Sequence, residues 1–200
     1  MGLDMCAYKI RKLDISEVDQ LRGRDVLSLN KDYKSHVVLE KEEALDENGS
    51  FIPMYAQLAP YLSEVEMIDT LFNIDQLKKD YGIPEDADIS GEGYIGNVST
   101  YYFQWGQGEK RVELNDEEYE KYVYEDAVGF YICGCEEIAY WRKEFRLQDK
   151  MYELCPVEIE NCGYYRCTDE MIAAMKDFDA FEDGVPECGS DEAIFYWEWY

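Results

Sequence analysis

The sequence predicts a single α+β domain over residues 1–200, in which an antiparallel sheet packs with three to five helices. Hydrophobic residues make up 46% of the chain and aromatic residues 15%, which is enough to build a core and too much for a disordered chain. Short runs of β-branched and aromatic residues end at glycine turns, as strands do. Polar capping residues precede several apolar segments, as they do where helices begin. A length of 200 residues fits one domain, or one domain with a long insertion.

The first fifty residues predict two strands and one short helix. Met5–Ile10 alternates loosely between apolar and polar residues and predicts the first strand. Ser16-Glu17-Val18-Asp19 resembles a capping box, which predicts a short helix that Gly23 closes. His36–Leu39 predicts a second strand, and the polar segment Leu45–Ser50 predicts a loop.

Two helices are predicted in the following segment, each from a capping pattern. Ser63-Glu64-Val65-Glu66 matches a capping box and predicts a helix over Met67–Phe72. Asn73-Ile74-Asp75-Gln76 opens a second helix over Ile74–Tyr81. The acidic, glycine-containing segment Glu85–Gly93 then predicts a loop.

A hairpin and an acidic helix are predicted near the middle of the chain. Tyr94–Trp105 is rich in valine, tyrosine and phenylalanine and predicts a strand. Gly106-Gln107-Gly108 predicts the turn into a second strand over Lys110–Leu114. Asn115 then caps a short acidic helix over Asp116–Tyr122.

The last third predicts two strands and two helices. Ala127–Cys133 predicts a buried strand. Glu136–Leu154 predicts the clearest helix of the chain, because its apolar residues recur at near-helical spacing. Gly163–Cys167 predicts a strand, and Thr168 caps a last helix over Asp169–Phe178.

The chain ends in the aromatic segment Ile194–Tyr200. An apolar segment of this size either packs into the core or forms an interface, because a large exposed apolar patch is rare on a monomer. The sequence leaves both possibilities open.

The charge restricts the classes of partner. The chain has 45 acidic and 19 basic residues, for a formal net charge of −26. Direct binding to nucleic acid or to an anionic membrane needs clustered lysine and arginine, so neither is predicted. Cations and basic protein surfaces are the partners that this charge favours. A surface that only maintains solubility is the alternative.

The acidic residues concentrate in two regions. Glu113–Asp126 holds seven acids and one lysine, and residues 151–200 hold 13 acids and two basic residues. These regions predict the partner-binding surface. The predicted partner-binding residues are Glu113, Asp116, Glu117, Glu118, Glu120, Glu125, Asp126, Asp183, Glu187, Asp191 and Glu192.

The seven cysteines predict free thiols in a reducing cytosol. Met1–Lys12 has no apolar core of a signal peptide, and no apolar run reaches the length of a membrane span. Cys133-Gly134-Cys135 is too closely spaced for a structural zinc pair, and Cys162 with Cys167 lies at the upper edge of the usual spacing. Buried free cysteines are therefore favoured over zinc, and no metal or cofactor is predicted.

Catalytic motifs are absent from the sequence. His36 is the single histidine, and no signature of a catalytic base surrounds it. Glu85–Gly93 has oxygen ligands and glycines but lacks the order of an EF-hand loop. No phosphate-binding glycine loop, G-x-S-x-G or H-E-x-x-H occurs. No catalytic residue is predicted.

Two segments carry a family resemblance. The chain opens with Met1-Gly2-Leu3-Asp4-Met5, and it later reads Ile138-Ala139-Tyr140-Trp141-Arg142-Lys143 and then Asn161-Cys162-Gly163-Tyr164-Tyr165. In that order the segments resemble a family of short uncharacterised phage and prophage proteins. The resemblance implies a phage setting and no named activity. Family members continue with Ala-Asn, a His and Trp-Phe, where this chain has Glu144, Phe145, Gln148, Lys150 and Met151.

These observations favour a phage-derived acidic binding protein in the host cytosol. Its carboxylates would stand in for phosphates and block a basic surface of a host nucleic-acid-binding defence protein, for example a CRISPR nuclease. Charge reversal at Glu117, Glu118 and Glu120 would then slow association. The alternatives are a phage accessory protein without mimicry and a metal-dependent enzyme of unknown substrate.

Overall fold

The structure is a computed structural model that describes residues 2–30, 36–178, 181 and 184–200. The chain divides into two compact units. The outer unit comprises Met1–Met67 and Ala127–Tyr200, and the inserted unit comprises Ile68–Asp126. The expectation of a single domain stays a prediction.

The described residues form a mixed α/β fold with antiparallel sheets. The strands are β1 (Asp4–Arg11), β2 (His36–Glu40), β3 (Ser63–Phe72), β4 (Asp88–Ile95), β5 (Val98–Trp105), β6 (Gly108–Asn115), β7 (Val123–Arg142), β8 (Tyr164–Arg166) and β9 (Glu192–Trp199). The α-helices are α1 (Ile15–Leu21), α2 (Val26–Asn30), α3 (Lys41–Ala44), α4 (Pro53–Ala56), α5 (Ile74–Asp80), α6 (Asp116–Tyr119), α7 (Phe145–Leu154) and α8 (Asp169–Lys176). One 3₁₀ helix covers Ala59–Tyr61.

The helices are short and more numerous than expected. Eight α-helices lie within the described ranges, where the sequence predicted three to five. The longest is α7, with ten residues. None of the helices in the described ranges is long and apolar enough to cross a membrane.

The sheet of the outer unit joins the two ends of the chain. Its strand order is β2-β7-β1-β9-β8, and β3 also pairs with β7. Strand β1 is antiparallel to both of its neighbours, so Met5 lies opposite Trp141 on β7 and opposite Glu198 on β9. The N-terminal strand thus lies at the centre of the sheet.

Both faces of this sheet are buried. Helices α7 and α8 cover one face, and residues of the 3₁₀ helix and its flanks cover the other. The core between the first face and these two helices includes Met5, Ala7, Leu147, Met151, Met171, Met175, Ile194 and Tyr196. The second includes Ile10, Val37, Leu58, Tyr61, Leu62, Cys133, Cys135 and Phe195. Apolar burial of this kind is the main favourable contribution to folding.

The aromatic C-terminal segment belongs to the core. It forms most of β9, which pairs with β1 on one side and β8 on the other. Phe195 and Tyr196 are fully buried, and only the last two residues, Trp199 and Tyr200, are about half exposed. The segment therefore packs inward.

Several predicted elements are confirmed, with their caps. The strands at Met5–Ile10 and His36–Leu39 form β1 and β2. Asn73 caps α5 by accepting a hydrogen bond from the Gln76 amide at 2.9 Å. Thr168 likewise caps α8. The predicted first helix is α1, but a capping box of Asp14 with Glu17 begins it instead of Ser16.

The predicted helix over Met67–Phe72 is wrong, because this segment belongs to β3. Val65 and Met67 are buried while their neighbours Glu64 and Glu66 are exposed. That period of two is the period of a strand, and it outweighs the capping pattern at Ser63.

The predicted helix over Glu136–Leu154 is wrong in its first half. Residues up to Arg142 continue β7, where they pair with β1. Lys143 then adopts a left-handed conformation with φ 59°, and only Phe145–Leu154 is helical. The left-handed residue separates the strand from the helix.

The inserted unit is built on a three-stranded antiparallel sheet in the order β4-β5-β6. Two tight turns connect its strands, and Gly96 in the first has φ 65°. Strand β4 takes up much of the predicted loop at Glu85–Gly93, so that part of the prediction is wrong. The core of this unit comprises Leu77, Ile83, Ala87, Tyr101, Phe103, Val112, Leu114 and Tyr122.

Candidate partner-binding site

Helix α6 presents the central part of the predicted acidic surface. The chain leaves β6 at Asn115, whose side chain accepts a hydrogen bond from the Glu118 amide at 3.0 Å. The Glu118 carboxylate in turn accepts from the Asn115 amide at 3.0 Å. This capping box fixes the start of a helix of only four residues.

Four carboxylates around this helix face solvent. Asp116, Glu117, Glu120 and Glu125 are exposed, and none of them forms an ion pair with a residue in the described ranges. Among the predicted partner-binding residues of this region, these four are the most available to a partner. Asp126 is exposed as well.

Two other predicted residues of this region already have internal partners. Glu113 forms an ion pair with Arg111 on the same strand. Glu118 is committed to the capping box with Asn115. A partner would compete with these internal contacts, so both are weaker candidates than their neighbours on α6.

The C-terminal acidic residues lie in the outer unit and differ among themselves. Glu187 and Asp191 are exposed. Glu192 accepts from the Gly189 amide at 2.8 Å and pairs with Lys9 at 3.0 Å, and both contacts hold its pKa below the usual range. Asp183 lies outside the described residues. The two predicted acidic regions thus belong to different units, and the inserted unit holds the larger group of available carboxylates.

A depression with tyrosine walls lies beside α6 in the inserted unit. Its volume is about 420 Å³. We call it the tyrosine-lined depression. Its walls are Glu92, Gly93, Tyr94, Ser99, Tyr101 and Tyr119. Since Tyr119 belongs to α6, the depression and the acidic helix are contiguous.

Strand pairing sets the walls of the depression. Glu92 lies opposite Tyr101 and Tyr94 lies opposite Ser99 in the register of β4 and β5. Residues two apart on a strand point to the same face, so these four side chains share one face of the hairpin. The fifth side chain, that of Tyr119, comes from α6.

The tyrosine rings are held by packing. Phe72 stacks on Tyr101, with ring centroids 5.1 Å apart, and on Tyr119, with centroids 4.9 Å apart. The pKa of Tyr101 is raised to about 12, mainly by burial and to a smaller extent by Tyr119 and the Glu92 carboxylate. The Tyr101 hydroxyl therefore stays protonated at neutral pH, and Glu92 supplies the negative charge.

The sequence patterns do not predict the tyrosine-lined depression. They place Glu92 in a loop and Tyr94 on the same strand as Tyr101, with no turn between the two tyrosines. The signal was present in the dipeptide Gly96-Asn97, because glycine followed by asparagine between two strand-like segments is typical of a hairpin turn.

A larger depression in the outer unit has balanced charge. Its volume is about 740 Å³, and its walls include Arg22, Lys41, Glu64 and Glu66. Lys41 and Glu64 pair with each other at 2.5 Å. Internal pairing leaves this depression without the excess of one charge that favours a charged partner.

The cysteines and the histidine form no site of their own. All seven cysteines are free, and burial raises the pKa of Cys6 and of Cys135 to about 12. Such thiols are protonated at neutral pH and are poor nucleophiles and poor metal ligands. His36 lies at the start of β2, opposite Gly134. Within the described part of the chain, no three metal-ligating side chains are grouped to hold an ion.

Comparisons with protein-family models, with curated proteins and with solved structures returned no match. The residues of the chain itself therefore carry the functional argument.

Proposed function

We propose that the protein binds a basic protein surface through the acidic helix α6 and its surroundings in the inserted unit. The partner is a host nucleic-acid-binding defence protein, for example a CRISPR nuclease. The protein inhibits it by placing carboxylates where the partner's groove holds nucleic-acid phosphates. The observation that carries the proposal is the set of exposed carboxylates at Asp116, Glu117, Glu120 and Glu125, which form no ion pair within the described ranges.

The charge of the inserted unit supports electrostatic capture. Ile68–Asp126 contains 15 acidic and 5 basic residues, a net charge of −10 in 59 residues. Three of its basic residues are engaged internally, since Arg111 pairs with Glu113 while Lys78 and Lys110 donate to backbone carbonyls. The unit keeps a net charge of −10 with all five of its basic residues counted. The field of such a charge accelerates association with a basic groove and makes it sensitive to salt.

The setting of the proposal comes from the sequence. The Tyr-Trp-Arg-Lys segment Tyr140–Lys143 and the opening pentapeptide resemble phage and prophage proteins, which would act in the cytosol of a host cell. A phage protein that occupies the nucleic-acid channel of a defence nuclease would protect phage DNA, because such channels are strongly basic. In this proposal, the chain is a single α+β domain with a long insertion.

The proposal is tested by capture from host lysate, followed by kinetics with the captured protein. Immobilised protein is incubated with lysate at about 50 mM and at about 500 mM salt, because screening at the higher concentration weakens attraction between surface charges. We expect a nucleic-acid-binding protein that is retained only at low salt and that is displaced by added nucleic acid. Recovery of no basic partner would contradict the proposal.

A matched pair of variants tests whether the partner binds at α6. Glu117→Lys with Glu120→Lys reverses two charges at α6, and Glu42→Lys with Glu43→Lys makes the same charge change on the four-residue helix α3 of the outer unit. We expect the first variant to slow association about tenfold or more and the second to slow it much less. Equal effects would mean that only net charge matters, which is the expectation for an accessory protein with an ordinary acidic surface.

A further inference from the structure

We propose that the tyrosine-lined depression of the inserted unit holds one arginine side chain of the basic partner. This inference rests on the proposed function and names the chemical group that the site recognises. Three tyrosines and one carboxylate form its walls, and none of the lining residues is basic.

The chemistry of the walls selects a cation. The face of a tyrosine ring is negative and attracts a cation within about 6 Å of its centroid. Tyr94, Tyr101 and Tyr119 line one space. Glu92 adds a full negative charge opposite Tyr101. An anion or an uncharged apolar group would gain nothing from Glu92 and would leave it desolvated.

The depression is preformed. Tyr101 is buried, and its ring is stacked against Phe72, which also stacks against Tyr119. Two of the three rings are therefore fixed before a ligand arrives. The third, Tyr94, is 66% exposed and lies at the rim. A preformed site of fixed aromatic rings loses little conformational freedom on binding.

Arginine fits this set of groups better than lysine does. Its planar guanidinium stacks on an aromatic ring while it donates two hydrogen bonds to a carboxylate. The same sheet contains such an arrangement within the chain. The Arg111 guanidinium lies 5.7 Å from the centroid of the Tyr102 ring and pairs with the Glu113 carboxylate. Tyr102 and Tyr101 are adjacent on β5, so the internal arginine and the proposed external one use opposite faces of one strand.

The position of the depression links it to the acidic helix. Tyr119 is flanked in the sequence by Glu118 and Glu120. Helix α6 therefore supplies one wall of the depression and also carries exposed carboxylates that attract a basic segment, while the tyrosine-lined depression accepts one side chain of that segment. Steering and recognition are assigned to different residues, and this separation makes them separately testable.

The test titrates the full chain with a capped arginine, observed by amide NMR and by calorimetry in about 150 mM salt to suppress nonspecific attraction. Capped citrulline, which has the same shape without the charge, and capped lysine are the comparison probes. We expect saturable binding of arginine in the millimolar range, with shifts at Glu92, Tyr94 and Tyr101. Citrulline should bind at least tenfold more weakly and lysine several-fold more weakly.

Variants at exposed positions of the depression complete the test. Tyr94→Ala and Glu92→Gln should each weaken arginine binding about fivefold or more. Tyr102→Ala removes a tyrosine from the opposite face of the sheet and should leave binding unchanged, as should Glu42→Lys with Glu43→Lys on α3 of the outer unit. Unchanged unfolding temperatures of the variants would show that any loss of binding is local.

The outcomes separate this inference from the proposed function. Citrulline or lysine binding as tightly as arginine would overturn the inference, and so would unaltered binding after Tyr94→Ala and Glu92→Gln. Saturable arginine binding without any captured partner would support the depression as an arginine site and contradict the proposed function alone. Capture of a partner with no arginine binding would contradict only the inference.

Discussion

The same chemical group has opposite roles in the two units. In the outer unit, the Glu198 carboxylate is fully buried and accepts hydrogen bonds from Tyr152 and Tyr196 at 2.6 Å and from Gln148 at 3.2 Å. In the inserted unit, Glu117 and Glu120 are exposed and have no ion-pair partner in the described ranges. Glu198 belongs to the hydrogen-bonded core, whereas the carboxylates at α6 contribute charge to the surface.

This contrast shows why a count of acidic residues is a poor guide to a binding surface. Residues 151–200 are strongly acidic, yet Glu198 lies in the core and Glu192 is bound to Lys9 and to a backbone amide. A carboxylate with internal partners is already compensated, and a new partner gains little from it. The available charge is therefore the charge of carboxylates that have no partner within the fold, and α6 with its flanking residues carries one such group.

The largest expected effect comes from removing the buried carboxylate. We predict that Glu198→Ala lowers the free energy of unfolding by about 3 kcal/mol, because it leaves a cavity and removes the acceptor of three hydrogen bonds. Urea unfolding followed by tryptophan fluorescence measures the loss. Glu187→Ala, at an exposed position, should change stability by about 0.5 kcal/mol or less. A loss below about 1 kcal/mol for Glu198→Ala would mean that the buried carboxylate matters little more for stability than an exposed one does.

The second prediction concerns alkaline pH. Burial raises the pKa of Tyr196, and the hydrogen bond to Glu198 raises it further. The unfolded state therefore loses this proton near pH 10 while the folded state keeps it, so stability is complete below pH 10 and falls as the pH rises above it. Each pH unit above 10 should remove about 1.4 kcal/mol through this group.

Unfolding at a series of pH values, together with the ultraviolet absorbance of tyrosinate, measures this dependence. Tyr196→Phe removes one titrating proton and should reduce the slope of the decline above pH 10 by about 1.4 kcal/mol per pH unit, even though the variant is less stable at neutral pH. An identical slope in the variant would show that Tyr196 does not carry the effect.

Much of the fold follows from local sequence signals. The capping residues Asn73, Asn115 and Thr168 each begin a helix where predicted, because their short polar side chains satisfy amides that the helix cannot. The turn at Gly106 was also predicted, because glycine tolerates its φ of 53°. These features depend on contacts within a few residues, and such contacts are visible in a single sequence.

The errors occurred where distant contacts decide the structure. The segment Glu136–Arg142 has apolar residues at helical spacing, but pairing with β1 holds it as a strand. The tyrosine-lined depression depends on the register that sets Glu92 against Tyr101 and on the stacking of Phe72. The four available carboxylates of the acidic surface lay in a predicted acidic region. Their difference from Glu113 and Glu118 depends on side-chain partners that only the structure reveals.

A third, smaller effect is expected at the start of α6. Asn115→Ala removes the side-chain oxygen that accepts the hydrogen bond from the Glu118 amide and should cost about 1 kcal/mol. Since α6 has only four residues, we expect its carboxylates to lose their fixed positions, which amide hydrogen exchange over Asp116–Tyr119 would detect as faster exchange. Asn115→Asp keeps the acceptor and is the control. Unchanged exchange in Asn115→Ala would show that the sheet, and not the cap, positions the helix.

The smallest effect on stability is expected from neutralising Glu117 and Glu120. Glu117 and Glu120 are three residues apart, one on the four-residue helix and the other at its C-terminal end, so their like charges repel. We predict that Glu117→Gln with Glu120→Gln leaves the free energy of unfolding unchanged or raises it by about 0.5 kcal/mol, and that the gain shrinks when salt screens the repulsion. The same variant should weaken capture of the proposed basic partner. A loss of stability instead would mean that these carboxylates, like Glu198, are used by the fold. A gain in stability together with a loss of binding would show that the protein keeps an unfavourable charge for the sake of its partner.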